Sequence, residues 1–334
     1  MSGMSKRERV LAALQGQEVD RVPVSFWGHD FLREWSAEGL AAAMLESVRT
    51  FDYDYLKVNP RATYYAEAWG CRYRPSNDPA RQPEVEHWVV HEASDLEAIR
   101  PVDGQAGPFG EQLEALRLIA DGLRGEVPFV QTVFSPLSVV ARLGNDREPV
   151  RRWMTEAPEA LHAAIGAVAE TLAAYARACL GTGADGIFFA TTEWATYDAC
   201  TSEEYEAFGS PYDLRVLEAV RDAPFNILHV CRPRNMLELL LDYPVAAVNW
   251  AVHAPGNASL GGTLVKTEKA VLGGVDERHA LLTGSPDKVR QQVREALEQT
   301  GGGRFLLGPG CSMSPQTPAE NLRAAVEAVR KGTG

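Results

Sequence analysis

The chain has 334 residues, 45% hydrophobic and 23% charged, which gives enough apolar material for a substantial core and excludes a disordered polymer. Its 33 basic residues stand against 45 acidic ones, a net charge of −12 that repels a phosphate backbone; with no basic stripe interleaved with aromatics, nucleic acid is excluded as a partner. No apolar run approaching about 20 residues stands out, and the opening MSGMSKRERVLAALQG lacks the apolar core and cleavage site of a signal peptide. No membrane partner is expected, and the expected location is the cytoplasm.

Short apolar runs bounded by turn residues recur along the chain at 22–27, 55–59, 129–135, 186–192, 226–230, 247–252, 270–275 and 304–308. Their centres are Val, Ile, Phe and Leu without alternation, as in strands buried on both faces, and helical periodicity fills most of the intervals. Eight such runs predict an α/β fold of the (β/α)8 TIM-barrel class, residues 1–334 forming a single domain. After the second run, residues 61–126 break the pattern with a polar, proline-rich stretch and one helix at 109–124. They have too few core residues to fold alone and are expected to form an insertion.

Farther along, Leu161, Ile165, Val168, Leu172, Tyr175 and Cys179 recur at spacings of three and four, an apolar stripe on a long helix packed outside the barrel. Thr201 to Glu204 reads as a capping box, and Pro318 stands in the first turn of a closing helix. The terminal Gly-Thr-Gly is expected to fray.

Chemistry concentrates at one rim. In FNILHVCRP, His229 and Cys231 are two residues apart, so their side chains leave the strand on one side, at its C-terminal end, where barrels place active sites. Cys311, in GPGCSM, lies just past the eighth run on the same rim. One imidazole and two thiolates suit zinc, and three protein ligands leave a fourth position for a substrate, as in catalytic rather than closed structural sites. Zinc would make a bound thiol a thiolate at neutral pH. Spacing alone leaves open the alternative that these cysteines simply pack. Cys71, Cys179 and Cys200 have no partner spacing and read as structural.

Several segments resemble the uroporphyrinogen decarboxylase superfamily: KRERVLAALQGQEVDRVPV at the start, GADGIFFA, VNWAV with VLGGVDERHALL, and above all GRFLLGPGCSMSPQTPAENLRAAVEAV. Decarboxylases of that superfamily carry arginines after the first strand to bind propionates, whereas VPVSFWGHDFLREW has none before Arg33. The zinc methyltransferase branch, including corrinoid-dependent enzymes acting on coenzyme M, is similar in its His-x-Cys and distant Cys. The resemblance thus implies His229, Cys231 and Cys311 as zinc ligands and catalytic groups, a small-molecule thiol as substrate, and methyl transfer from cobalamin carried by a partner corrinoid protein. The alternatives are a metal-independent decarboxylase of the same barrel and a non-catalytic zinc-binding protein. A homodimer is the candidate assembly.

Substrate-binding candidates follow from position at strand ends: Trp27, His29, Asn59, Gln131, Glu193, Asn249, Trp250, His253 and Asp276. Among them His253, Asp276 and Glu193 are also candidates for a fourth ligand, though each reads first as a hydrogen-bonding group of the pocket.

Overall fold

The computed structural model describes residues 3–144 and 147–330, so the closing Gly-Thr-Gly lies outside the described residues. In chain order the elements are α1 (Lys6–Leu14), α2 (Ala37–Phe51), β1 (Leu56–Val58), α3 (Tyr64–Ala68), β2 (Arg72–Arg74), β3 (Glu84–His87), α4 (Gly107–Leu123), β4 (Phe129–Phe134), α5 (Pro136–Leu143) and α6 (Arg147–Glu156). Then come α7 (Pro158–Gly181), β5 (Gly186–Ala190), α8 (Ser202–Phe208), α9 (Ser210–Glu218), β6 (Ile227–Val230), β7 (Ala247–Trp250), α10 (Leu260–Leu264), β8 (Ala270–Val275), α11 (Pro286–Thr300), β9 (Phe305–Pro309) and α12 (Ala319–Arg330).

Seven strands form one parallel sheet in the order β1-β4-β5-β6-β7-β8-β9. Each is buried along its whole length, which explains why the strands read as continuous apolar runs rather than alternating ones. Between β1 and β4 lie α3, an antiparallel β2-β3 hairpin, a 3-10 turn at Ala93–Ala98 and α4, the last packed on α2.

The first expected strand, 22–27, is corrected: it makes only an isolated parallel bridge, Val24 with Leu307. Pro23 has no amide hydrogen to give a ladder, and the Val24 amide donates instead to the Asp54 carboxylate at 3.0 Å. The segment still touches both edges of the sheet. Ser25 N donates to Leu307 O at 3.1 Å and Leu307 N to Pro23 O at 2.8 Å, while Asp54 N, just before β1, donates to Val24 O at 2.9 Å.

Helix boundaries follow their caps. Ser5 and Glu8 form a capping box at α1, and Thr201 and Glu204 form the one expected at α8. Ser135-Pro136 and Ser285-Pro286 open α5 and α11, with the serine as cap and proline where no amide is needed. In α7 the six residues of the expected stripe are fully buried. This 24-residue helix is, by length and composition alone, apolar enough to cross a membrane, which corrects the sequence reading; 56% of that window is buried inside the protein.

One buried carboxylate ties the amino-terminal elements together. Asp54, fully buried, accepts from Arg9 Nη1 of α1 at 2.8 Å, from Arg21 Nη1 and Nη2 at 2.5 and 2.8 Å, and from the Val24 amide. Removing it takes the carboxylate partner from Arg21 and from the Val24 amide, and one of the two carboxylate partners from Arg9, which keeps Asp20. Asp54→Ala should therefore lower the free energy of unfolding in urea by about 3–5 kcal/mol. A loss below about 1 kcal/mol would show that the cluster does not hold the segment in place.

Candidate active site

Parallel register brings the candidate side chains to one end of the sheet. His229 in β6 pairs with Asn249 in β7, and its Nδ1 meets Asn249 Oδ1 at 2.6 Å. The Asn249 amide nitrogen donates to Leu272 O at 3.0 Å and Pro309 O at 3.1 Å, so its oxygen must face the imidazole as an acceptor. Nδ1 of His229 then carries the proton, and Nε2 keeps its lone pair for a ligand bond. The ring also stacks on Phe188, with centroids 5.1 Å apart.

Cys231 follows β6 directly and Cys311 follows β9; their sulfurs are 3.5 Å apart, and with a His229 ring nitrogen they lie within 4.8 Å of one another. Two sulfurs bound to one zinc at about 2.3 Å in tetrahedral geometry would be about 3.8 Å apart, so the spacing fits a cation of that kind. The hydrogen bond between them holds the Cys231 thiol below its ordinary pKa and pushes Cys311 well above it, as expected of two sulfurs sharing one proton. A divalent cation would replace that proton.

The backbone around the donors is constrained. Arg232 adopts a left-handed φ of 75° although Pro233 follows, a conformation that L residues rarely take, and Thr192 at the end of β5 has φ 48°. Asn257 holds the first turn, donating from Nδ2 to Arg232 O at 2.9 Å and Ala251 O at 2.8 Å. On the other side Gly310 lets the Cys311 loop approach β7: a Cβ there would lie 2.7 Å from Ala251 Cα.

The three donors open into a cavity of about 470 Å³. Trp27, His29 and Asn59 line it as expected. Trp27 packs edge-on against Phe188 at 5.5 Å, and His29 Nδ1 bonds Glu34 Oε2 at 2.8 Å. Asn59 accepts from Ser312 Oγ at 3.2 Å, and its buried Nδ2 has no hydrogen-bond partner.

The other expected residues do not line this cavity, although Asn249 is bonded to His229 and His253 and Asp276 share an adjoining hollow with Cys231 and Cys311. Gln131 lies on the opposite face of β4, bonded through Nε2 to Tyr175 OH of α7 at 2.8 Å. Trp250 is fully buried and donates to Ala258 O at 2.8 Å. Asn249 is fully buried behind His229. Glu193 pairs with Arg232 at 3.1 Å and lines a neighbouring surface cleft. His253 and Asp276 line an adjoining hollow of about 160 Å³; His253 Nε2 faces Gly274 O at 3.0 Å, and Asp276 accepts from the Arg278 and His279 amides at 2.8 and 3.0 Å.

Lys57, Arg142 and Glu277 are among the charged cavity residues that were not anticipated. Lys57 had a signal, since it lies two residues before Asn59 in an apolar strand and so shares its face. Its ammonium donates to Asn59 Oδ1 and lies 4.9 Å from the Phe188 ring centre. Arg142, from α5, has a buried Nε with no partner. Glu277 stands beside the expected Asp276, and nothing in the sequence separates the two.

The chain belongs to the uroporphyrinogen decarboxylase (URO-D) family, whose model matches residues 5–332. It is 26% identical over 346 residues, 99% of both chains, to the methylcobamide:CoM methyltransferase MtbA of Methanosarcina acetivorans. It is also 26% identical over 316 residues to a uroporphyrinogen decarboxylase of Carboxydothermus hydrogenoformans, covering 91% of this chain and 86% of that one. Among solved structures, a methyltransferase from Methanosarcina mazei superposes with a TM-score of 0.86 at 25% identity over 99% of this chain and 100% of that one.

Burial pushes the Lys57 amine down to about 7. Below that pH the amine is charged in both folded and unfolded chains, and its desolvation cost is felt in full; between about 7 and its ordinary 10.5 the unfolded chain binds the extra proton, so stability rises with pH. Lys57→Met should therefore stabilise the fold most at pH 6 and progressively less toward pH 10, read by urea unfolding across that range. A gain independent of pH would contradict the assignment.

Proposed function

We propose that the chain is a zinc-dependent methyltransferase that activates a small-molecule thiol, the methyl group coming from cobalamin on a partner corrinoid protein. Residues 1–334 are read as one (β/α)8-barrel domain in which 22–27 takes the place of the first strand. The observation that carries the reading is the convergence of one imidazole nitrogen and two sulfurs on a single point at the cavity floor. The full-length similarity to a methylcobamide:CoM methyltransferase supports the methyl donor and the thiol acceptor.

Zinc, when bound, stabilises a substrate sulfur as thiolate at neutral pH. The protein's own groups do the rest. Asn249 fixes the tautomer of His229 and leaves Nε2 available. Cys231 and Cys311 supply negative charge that keeps a cation in place, and Trp27 and Phe188 form an apolar wall that limits water near the sulfur. Lys57 and Arg142 add positive charge to the cavity and favour an anionic sulfur over a neutral one.

Incubation of the purified protein with methylcobalamin and 2-mercaptoethanol should give methylated thiol, with about one zinc per chain. Cys311→Ala should lose zinc and cut the rate about 100-fold or more. A zinc-free protein, or turnover indifferent to Cys311, would favour a metal-independent lyase. Zinc without turnover would favour a binding protein.

A further inference from the structure

We propose that Lys57 is the proton acceptor of the reaction: its amine takes the proton that the substrate thiol gives up in becoming a thiolate. The proposal rests on the function given above, since it presumes a thiol bound beside His229, Cys231 and Cys311, and goes beyond it by naming where the proton goes.

Lys57 stands on β1, two residues before Asn59, and both side chains line the cavity of the three donors. Its nitrogen is 4.9 Å from the centre of the Phe188 ring, and that ring stacks on the His229 imidazole with centroids 5.1 Å apart. Asn59 Oδ1 accepts from the amine and also from Ser312 Oγ, the latter at 3.2 Å, which ties the amine to the loop that carries Cys311. A thiol seated at the three donors shares its cavity with this nitrogen.

A lysine only 4% exposed ordinarily has a carboxylate beside it. Among the described residues, Asn59 is the one hydrogen-bond partner of the Lys57 nitrogen and no carboxylate forms an ion pair with it. Glu34, from the segment before α2, and Cys311 act on its charge from farther away, and desolvation outweighs both, holding the amine at about 7. A base that titrates near neutral pH is well placed to take a proton during turnover. Arg142, Arg232 and Arg278 line the same cavity but keep their protons. Apart from the three donors, His29, bonded through Nδ1 to Glu34, and Glu277 are the other cavity groups that exchange one, and replacing Lys57 leaves both in place.

In the step, the S–H bond breaks with its electron pair left on sulfur, and the lone pair of the amine forms a new N–H bond, turning the neutral amine into an ammonium. Thiolate and ammonium then attract each other in a site shielded from water. The methylated product is a neutral thioether, so the ammonium returns its proton to water at the cavity mouth, where Arg232 and Arg278 are exposed.

Calorimetric titration of 2-mercaptoethanol into the zinc-loaded chain, in two buffers of different ionisation enthalpy, counts the protons released when thiol binds. At about pH 8.5, above the amine and below the free thiol, the parent is expected to release almost none, because Lys57 keeps the proton, whereas Lys57→Met and Lys57→Arg each release about one per chain. Arginine keeps the positive charge but takes no proton, so a lysine acting by charge alone would leave Lys57→Arg indistinguishable from the parent. At about pH 6 the amine is already charged, and all three release about one. A parent that releases about one proton at both pH values overturns the inference, as do variants that release none at about pH 8.5, which assign the proton to another group. Should neither variant bind thiol, the parent decides alone: release that falls to almost none as pH rises through about 7 supports the inference, and constant release overturns it. A zinc-loaded parent that binds no thiol overturns the functional reading as well, whereas thiol bound with its proton lost to solvent throughout overturns this inference alone.

Discussion

The site depends on one pairing in the sheet, the register that sets His229 of β6 directly beside Asn249 of β7. A slip of one residue would turn His229 toward the helices and bring Cys231 with it. The pairing is held by more than the strand ladder, because the Asn249 amide is bonded on both sides, to carbonyls at β8 and β9 and to the imidazole. Leaving any of these buried groups without a partner would cost about 1–3 kcal/mol. Four adjacent strands of the sheet, β6 to β9, thus aim the imidazole at the two sulfurs.

Around this rigid floor the protein departs from the rules that govern its core. A lysine is fully enclosed, an arginine keeps a buried nitrogen without a partner, and Thr192 and Arg232 adopt left-handed backbone. Left-handed non-glycine residues cost roughly 1–3 kcal/mol each where they are strained. Lys57, Thr192 and Arg232 lie on or just past strands on the cavity side, and Arg142 enters the cavity from α5. In a chain of net charge −12, the cavity gathers Lys57, Arg142, Arg232 and Arg278, so its interior favours anions that the outer surface repels.

Most of the sheet was legible because parallel strands buried on both faces leave unbroken apolar runs, and seven of the eight runs became strands within a few residues. The run at 22–27 did not, because a proline and a competing carboxylate took the amides that a ladder needs. His229, Cys231 and Cys311 were legible from chemistry and rim position. Facing was the weak point. The cavity is lined by Lys57 and Asn59, by Thr132 and Phe134, and by His229 and Cys231, so Gln131 and Trp250 have the wrong parity despite being near strand ends. Parity would have found Lys57. Arg142 and Glu277 come from a helix and a loop, where no strand rule reaches.

The central claim is that three side chains from β6 and the β9 loop converge on one divalent cation, and zinc K-edge X-ray absorption of the zinc-loaded protein tests it most directly. The account predicts two sulfurs at about 2.3 Å together with nitrogen or oxygen at about 2.0 Å. A first shell of nitrogen and oxygen alone, without sulfur, would contradict it.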